Sequence, residues 1–194
     1  MKHEIKRADI LSMEHYAEER ADRKKRMSAV KRDRRLEVGP FATFYFENAQ
    51  TMLHQVHEML FIERGGEEQI AGELEAYNPL IPKGSELVAT VMLEIGDANR
   101  RAAELAGLGG IEEMARMVLD GEVIAGVPEP DLDRTNAAGK ASAVQFIHFP
   151  FTVAQIKKFR APGAEVSVGF THPNYGHTAV MPERVRAALA EDFA

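Results

Sequence analysis

The sequence predicts an α+β fold: helices packed on a mostly antiparallel sheet of about five strands, with a long basic helix at the N-terminus. Two observations carry this expectation. Short apolar runs are separated by pairs of helical segments, not by the steady strand-helix alternation of a doubly wound parallel sheet. The basic residues Arg20, Arg23, Lys24, Lys25, Arg26, Lys31, Arg32, Arg34 and Arg35 crowd one polar helical stretch, and the rest of the chain is correspondingly acidic. With 194 residues, 45% of them hydrophobic, one core suffices, so residues 1–194 are expected to form a single domain, with a helical segment 1–39 packed on an α+β body 40–194.

Asp9 or Ser12 can cap the first helix, which is expected to run towards Arg35 and to stop at Gly39-Pro40. Its apolar positions are sparse, so a narrow stripe and ion pairs must hold it. Phe41 to Phe46 reads as a strand with Phe44 and Phe46 on one face and Thr43 and Tyr45 on the other. A helix follows from Ala49 to Glu63, ended by Gly65-Gly66, and a second runs from Glu67 to Ala76 into the extended segment Tyr77 to Pro82. Leu87 to Ile95 is a strand with two apolar faces, the second made of Val88, Thr90 and Met92 and ending in Glu94.

Ala98 to Leu105 and Ile111 to Leu119 read as helices, separated by the glycine-rich break 107–110. Glu122 to Val127 is a short strand and Pro128 to Lys140 a loop. Ala143 to Phe149 is a strand, Thr152 to Phe159 a short helix capped by Thr152, and Glu165 to Thr171 a strand. His172 to His177 is a turn, and Pro182 to Asp192 closes the chain as a helix with proline in its first turn.

Composition narrows the chemistry. The absence of cysteine removes disulfides, thiolate zinc sites, protein-ligated iron-sulfur clusters and cysteine nucleophiles. No stretch reads as a signal peptide or membrane span, so the chain is expected to be cytoplasmic and free of the membrane. A formal charge of -6, and a basic run with no interleaved aromatic residues for stacking, argue against nucleic acid as a partner. No phosphate-cradling glycine loop, dinucleotide fingerprint or nucleophile elbow is present.

The candidate sites lie at polar positions beside apolar stripes. In the helix 49–63, Gln55 and Glu58 flank the stripe of Met52, Val56, Met59 and Leu60, and His54 and His57 lie within a turn of Glu58. Three strand ends carry polar tips: Glu94 on the face of Val88 and Met92, His148 on that of Val144 and Phe146, and His172 on that of Val166, Val168 and Phe170. If those faces coincide, Glu94, His148 and His172 form the ligand set of a non-haem iron or zinc site; if not, each is a hydrogen-bonded residue at a sheet rim. Arg34 and Arg35 are expected at a helix C-terminus, as capping cations or as partners of Glu47 or Glu58 in a buried network.

Several motifs taken together are distinctive: Lys31 to Arg35 running to Val38-Gly39-Pro40, Phe46-Glu47-Asn48, Gln55 to Met59 with Glu63, Tyr77 to Pro82, Thr90 to Glu94, Gly139 to Val144, and His172-Pro173-Asn174-Tyr175. On these residues the chain resembles an uncharacterised bacterial family catalogued as a domain of unknown function. The resemblance implies a genomic neighbourhood that includes rubrerythrin and an iron-sulfur oxidoreductase, hence peroxide defence or electron transfer. It places Gln55, Glu58 and Glu63 in the family's helix motif, whereas His54 and His57 depart from it. The expected function is that of an accessory protein of an oxidative-stress or electron-transfer system, with either protein as partner. It would bind a small anionic ligand through Arg34, Arg35, Glu47, Gln55, Glu58 and Tyr175, or a divalent metal (iron, zinc or manganese) through Glu94, His148 and His172. A metal-dependent enzyme with a His/Glu site and an interaction module for a redox partner are the alternatives.

Overall fold

The computed structural model describes residues 2–130, 135 and 139–194. Among them the helices are α1 (Met13–Arg32), α2 (Ala49–Glu63), α3 (Gly66–Tyr77), α4 (Ala98–Ala106), α5 (Val153–Arg160) and α6 (Glu183–Ala190). The strands are β1 (Arg35–Val38), β2 (Ala42–Glu47), β3 (Glu86–Leu93), β4 (Ala115–Leu119), β5 (Glu122–Ala125), β6 (Val127–Pro128), β7 (Val144–Pro150), β8 (Val166–Phe170) and β9 (Thr178–Val180). They form two sheets, ordered β1-β2-β3-β7-β6 and β5-β4-β8-β9, in which every neighbouring pair is antiparallel. The α+β class and its antiparallel sheet are as the sequence predicts. The second sheet is additional.

The two sheets bury a common core. Phe44 and Phe46 of β2 point towards β8, where the Phe170 ring lies tilted against Phe44 with centroids 5.2 Å apart, and Phe159, Val185 and Leu189 of α5 and α6 close the same cluster. A second, smaller cluster lies on the opposite face of the five-stranded sheet, where Met52, Val56 and Leu60 of α2 and Ile70 of α3 cover Val88. The five-stranded sheet is therefore the middle layer. Strand alternation sends Thr43, Tyr45 and Glu47 to the helix side of that layer.

Local chemistry explains most element ends. Ser12 accepts from the His15 amide to start α1, and Asn48 accepts from the amides of Gln50 and Thr51 to start α2. α1 stops at Arg32, not at Arg35 as expected, because Leu36 and Val38 are buried on alternate positions and draw Arg35–Val38 into the sheet as β1. Thus residues 35–38, expected within the helical segment, belong to the sheet.

The helix expected over Ile111 to Leu119 is a single 3-10 turn, Ile111–Met114, followed by β4. Ala115, Met117 and Leu119 are buried alternately, and Asp120 and Gly121, with φ of 47° and 82°, form the tight turn into β5. The segment Thr178–Val180, left outside any predicted strand, pairs with β8 as β9. The loop expected over Pro128 to Lys140 falls largely outside the described residues. Among the described residues, no helix is long and apolar enough to cross a membrane.

Candidate functional site

The helix side of the five-stranded sheet is covered at one end and open at the other. Antiparallel register fixes its floor as rows that cross the strands: Arg35, Tyr45, Thr90 and Phe146 lie side by side, and Glu37, Thr43, Met92 and Val144 form the next row. On the other flank Glu47, Val88 and His148 form a row that lies under α2. Tyr45, Thr90 and Phe146 of the first row and Met92 and Val144 of the next line a cavity of about 300 Å³, walled by Met52 and Gln55 of α2 with Tyr77, and by Lys31 from the last turn of α1.

A second hollow, of about 650 Å³, adjoins the first and shares Lys31 and Tyr45 with it. Arg32, Arg35 and Arg184 complete its basic wall. Asp33 pairs with Arg184 at 2.7 Å and with Arg32 at 3.4 Å, and Glu37 pairs with Arg35. Four cations thus face two carboxylates. Among the described residues, the side chain of Lys31, a partly exposed residue, has neither a hydrogen-bond nor an ion-pair partner. The Arg35 guanidinium lies 6.0 Å from the centre of the Tyr45 ring, and the Tyr45 hydroxyl donates to Glu94 at 3.1 Å on the rim.

The expected anion-binding residues do not share one pocket. Arg35 and Glu47 do lie on this sheet face, with Gln55 of α2 on the cavity wall above it, and Glu47 is buried and accepts from the Thr51 hydroxyl at 2.6 Å. Arg34 reaches neither the Glu47 nor the Glu58 carboxylate. It is buried and donates to Asp192, and its other donors take the carbonyls of Phe46 at 3.0 Å and Glu47 at 3.1 Å. Burial pushes the Asp192 carboxyl up against the pull of that guanidinium.

Glu58 lies between α1 and α2. It accepts from the Tyr16 hydroxyl at 2.7 Å and from two nitrogens of Arg20 at 2.7 and 2.8 Å, and the Arg20 contacts chiefly hold its carboxyl down at about 2. Tyr175 is on the far side of the sheet, where its hydroxyl accepts from the Phe41 and Ala42 amides and donates to the Val38 carbonyl. It staples the β1-β2 turn.

The expected metal ligands are likewise apart. Glu94 and His148 share a sheet face, but His148 sits opposite Val88, six residues along β3 from Glu94. At about 3.3 Å per residue that separation is roughly 20 Å. Both ring nitrogens of His148 are engaged, Nδ1 with Glu86 at 3.0 Å and Nε2 with Glu129 at 2.7 Å. Burial alone would lower its pKa, yet the two carboxylates raise it; both can only accept, so they favour the imidazolium, which has no lone pair for a metal. His172 follows β8 in the other sheet, where Nε2 meets the Gly109 carbonyl at 3.3 Å and Nδ1 accepts from the Asn174 amide at 3.2 Å. Among the described residues, no group of three or more His, Asp or Glu side chains is placed to hold a metal ion.

Of the helix histidines, His57 is buried and stacks on Tyr16 with ring centroids 4.8 Å apart. Its Nδ1 donates to the Leu53 carbonyl and its Nε2 accepts from the Leu11 amide, so it is a neutral fastening for the N-terminal segment. Lys31, Tyr45, Thr90, Met92 and Phe146 were not among the predicted site residues. Strand parity already placed Tyr45, Thr90 and Met92 on the faces opposite the main core, and that was the available signal.

Comparison with known proteins agrees with the sequence motifs. Residues 4–193 match the family described as "Protein of unknown function (DUF3501)". The fold is similar to a crystal structure of a novel protein of unknown function from Burkholderia pseudomallei K96243. That protein is 37% identical, with a TM-score of 0.91, and the alignment covers 98% of this chain and 99% of that one. No curated protein matches.

Proposed function

The chain belongs to the family described as "Protein of unknown function (DUF3501)", and from its site we propose that it binds a small anionic ligand in the basic hollow beside β1. The observation that carries this reading is the gathering of Lys31, Arg32, Arg35 and Arg184 around one hollow, with Lys31, a partly exposed residue whose side chain makes no hydrogen bond or ion pair among the described residues, on the wall shared by two cavities. Ion pairing elsewhere in the chain is extensive, and Arg20, Arg23 and Arg7 all hold carboxylates. A lysine left open beside Arg32, Arg35 and Arg184 supplies charge and donors to an oxyanion from outside the chain.

A role in an oxidative-stress or electron-transfer system, with rubrerythrin or an iron-sulfur oxidoreductase as partner, is supported by the neighbourhood that the family resemblance implies. Thermal unfolding in inorganic phosphate, against sodium chloride of equal ionic strength, tests the anion site. The wild type should melt higher in phosphate, and Lys31→Met should lose most of that increment. An increment that is the same in both proteins, or absent in the wild type, contradicts the reading.

A further inference from the structure

Resting on the anion site above, we propose that its ligand is amphipathic: one anionic head, carboxylate or phosphate, held at Lys31 and Arg35, and an apolar body laid across the sheet towards α2. The row Arg35, Tyr45, Thr90, Phe146 runs directly from the basic hollow into the cavity of about 300 Å³ beside α2. Three strand spacings of about 4.8 Å give that track a length of roughly 14 Å. The hollows meet at Tyr45, whose ring face can carry the start of an apolar body while the head stays at Lys31.

The floor of this cavity is lined by apolar side chains. Met92 is 38% exposed, Val144 and Phe146 are only half-buried, and Met52 and Leu80 form an apolar back wall. About 300 Å³ is the lower end of the range for small-molecule sites and is ample for a ring the size of benzene. A bare inorganic anion would use none of this surface. The buried Glu47 carboxylate on the inner wall also disfavours a second negative charge at the far end, while Gln55, Tyr77 and Thr90 offer only neutral polar groups there.

Calorimetric titration of the wild-type protein at fixed ionic strength separates these features. The ligands are acetate, inorganic phosphate, 4-phenylbutyrate, phenyl phosphate and the linear dicarboxylate suberate. At least one of the two phenyl acids should bind ten or more times tighter than its bare head, suberate should bind no tighter than acetate, and the Met52 and Met92 methyl resonances should shift with the phenyl acid only. Equal affinities for the bare and phenyl anions, with those methyls unmoved, would overturn the amphipathic ligand and leave the anion site standing. Suberate binding as tightly as 4-phenylbutyrate would overturn the single-head requirement. Binding of none of the five would overturn both the ligand class and the anion site.

Discussion

The Arg34 guanidinium donates to the Asp192 carboxylate in a pair closed to solvent, with 6% and 1% of the two side chains exposed. The contact joins the start of β1 to the residues just after α6, across 158 positions of sequence. Removing one member leaves the other buried without its counter-charge, so Arg34→Ala should lower unfolding free energy by about 3 to 5 kcal/mol. Arg34→Leu with Asp192→Leu should cost clearly less. Urea unfolding of the three proteins checks this, and a loss below about 1 kcal/mol for Arg34→Ala, as at a surface site, would contradict it.

Glu58 gives a prediction in acid. Its carboxyl is held at about 2 against an ordinary 4.5, mainly by the Arg20 hydrogen bonds and also by Tyr16, with burial opposing. A depressed carboxyl adds stability that is complete above the ordinary value and is lost as pH falls towards the folded one. Glu58→Gln should therefore cost about 1 to 3 kcal/mol near neutrality and progressively less as pH drops from 4.5 towards 2. A difference from wild type that does not change with pH would show that Glu58 gains nothing from its charge.

Two histidines should titrate in opposite directions. His148 is raised above 6.5 because its carboxylate partners outweigh burial, so its contribution is complete below 6.5 and fades as pH climbs through the raised value. His57 is lowered below 6.5, chiefly by burial, so the fold loses stability as pH falls from 6.5 through its folded value. Imidazole proton resonances followed by NMR should place His148 above and His57 below that reference. The reverse order would contradict both environments.

The fold was legible where periodicity was unambiguous. The alternation of Phe44 and Phe46 with Thr43 and Tyr45, and the two-sided apolar run of β3, place both strands in the middle layer. Ile111 to Leu119 failed because its apolar positions suit a helix and a strand alike, and the deciding signal was the Asp120-Gly121 turn that follows. Likewise the alternation in Arg35-Leu36-Glu37-Val38 distinguishes β1 from a continued helix.

The site was legible only in part. Gln55 flanks the α2 stripe, Glu47 belongs to the Phe46-Glu47-Asn48 motif just before that helix, and Arg35 belongs to the basic run, so all three could be named from sequence. That Arg34 turns instead to Asp192, and that Lys31 and Tyr45 line the same cavities, depends on chain segments brought together only by folding. Polar residue type marks the candidates, but tertiary contacts decide which are satisfied internally.

The most direct test of the account is calorimetric binding of one anion, inorganic phosphate or 4-phenylbutyrate, to wild type and Lys31→Met, with circular dichroism confirming that both are folded. Loss of a charge-assisted hydrogen bond of about 1.5 to 3 kcal/mol predicts affinity weaker by roughly tenfold or more in the variant. Equal affinity in the two proteins would contradict a site organised by Lys31.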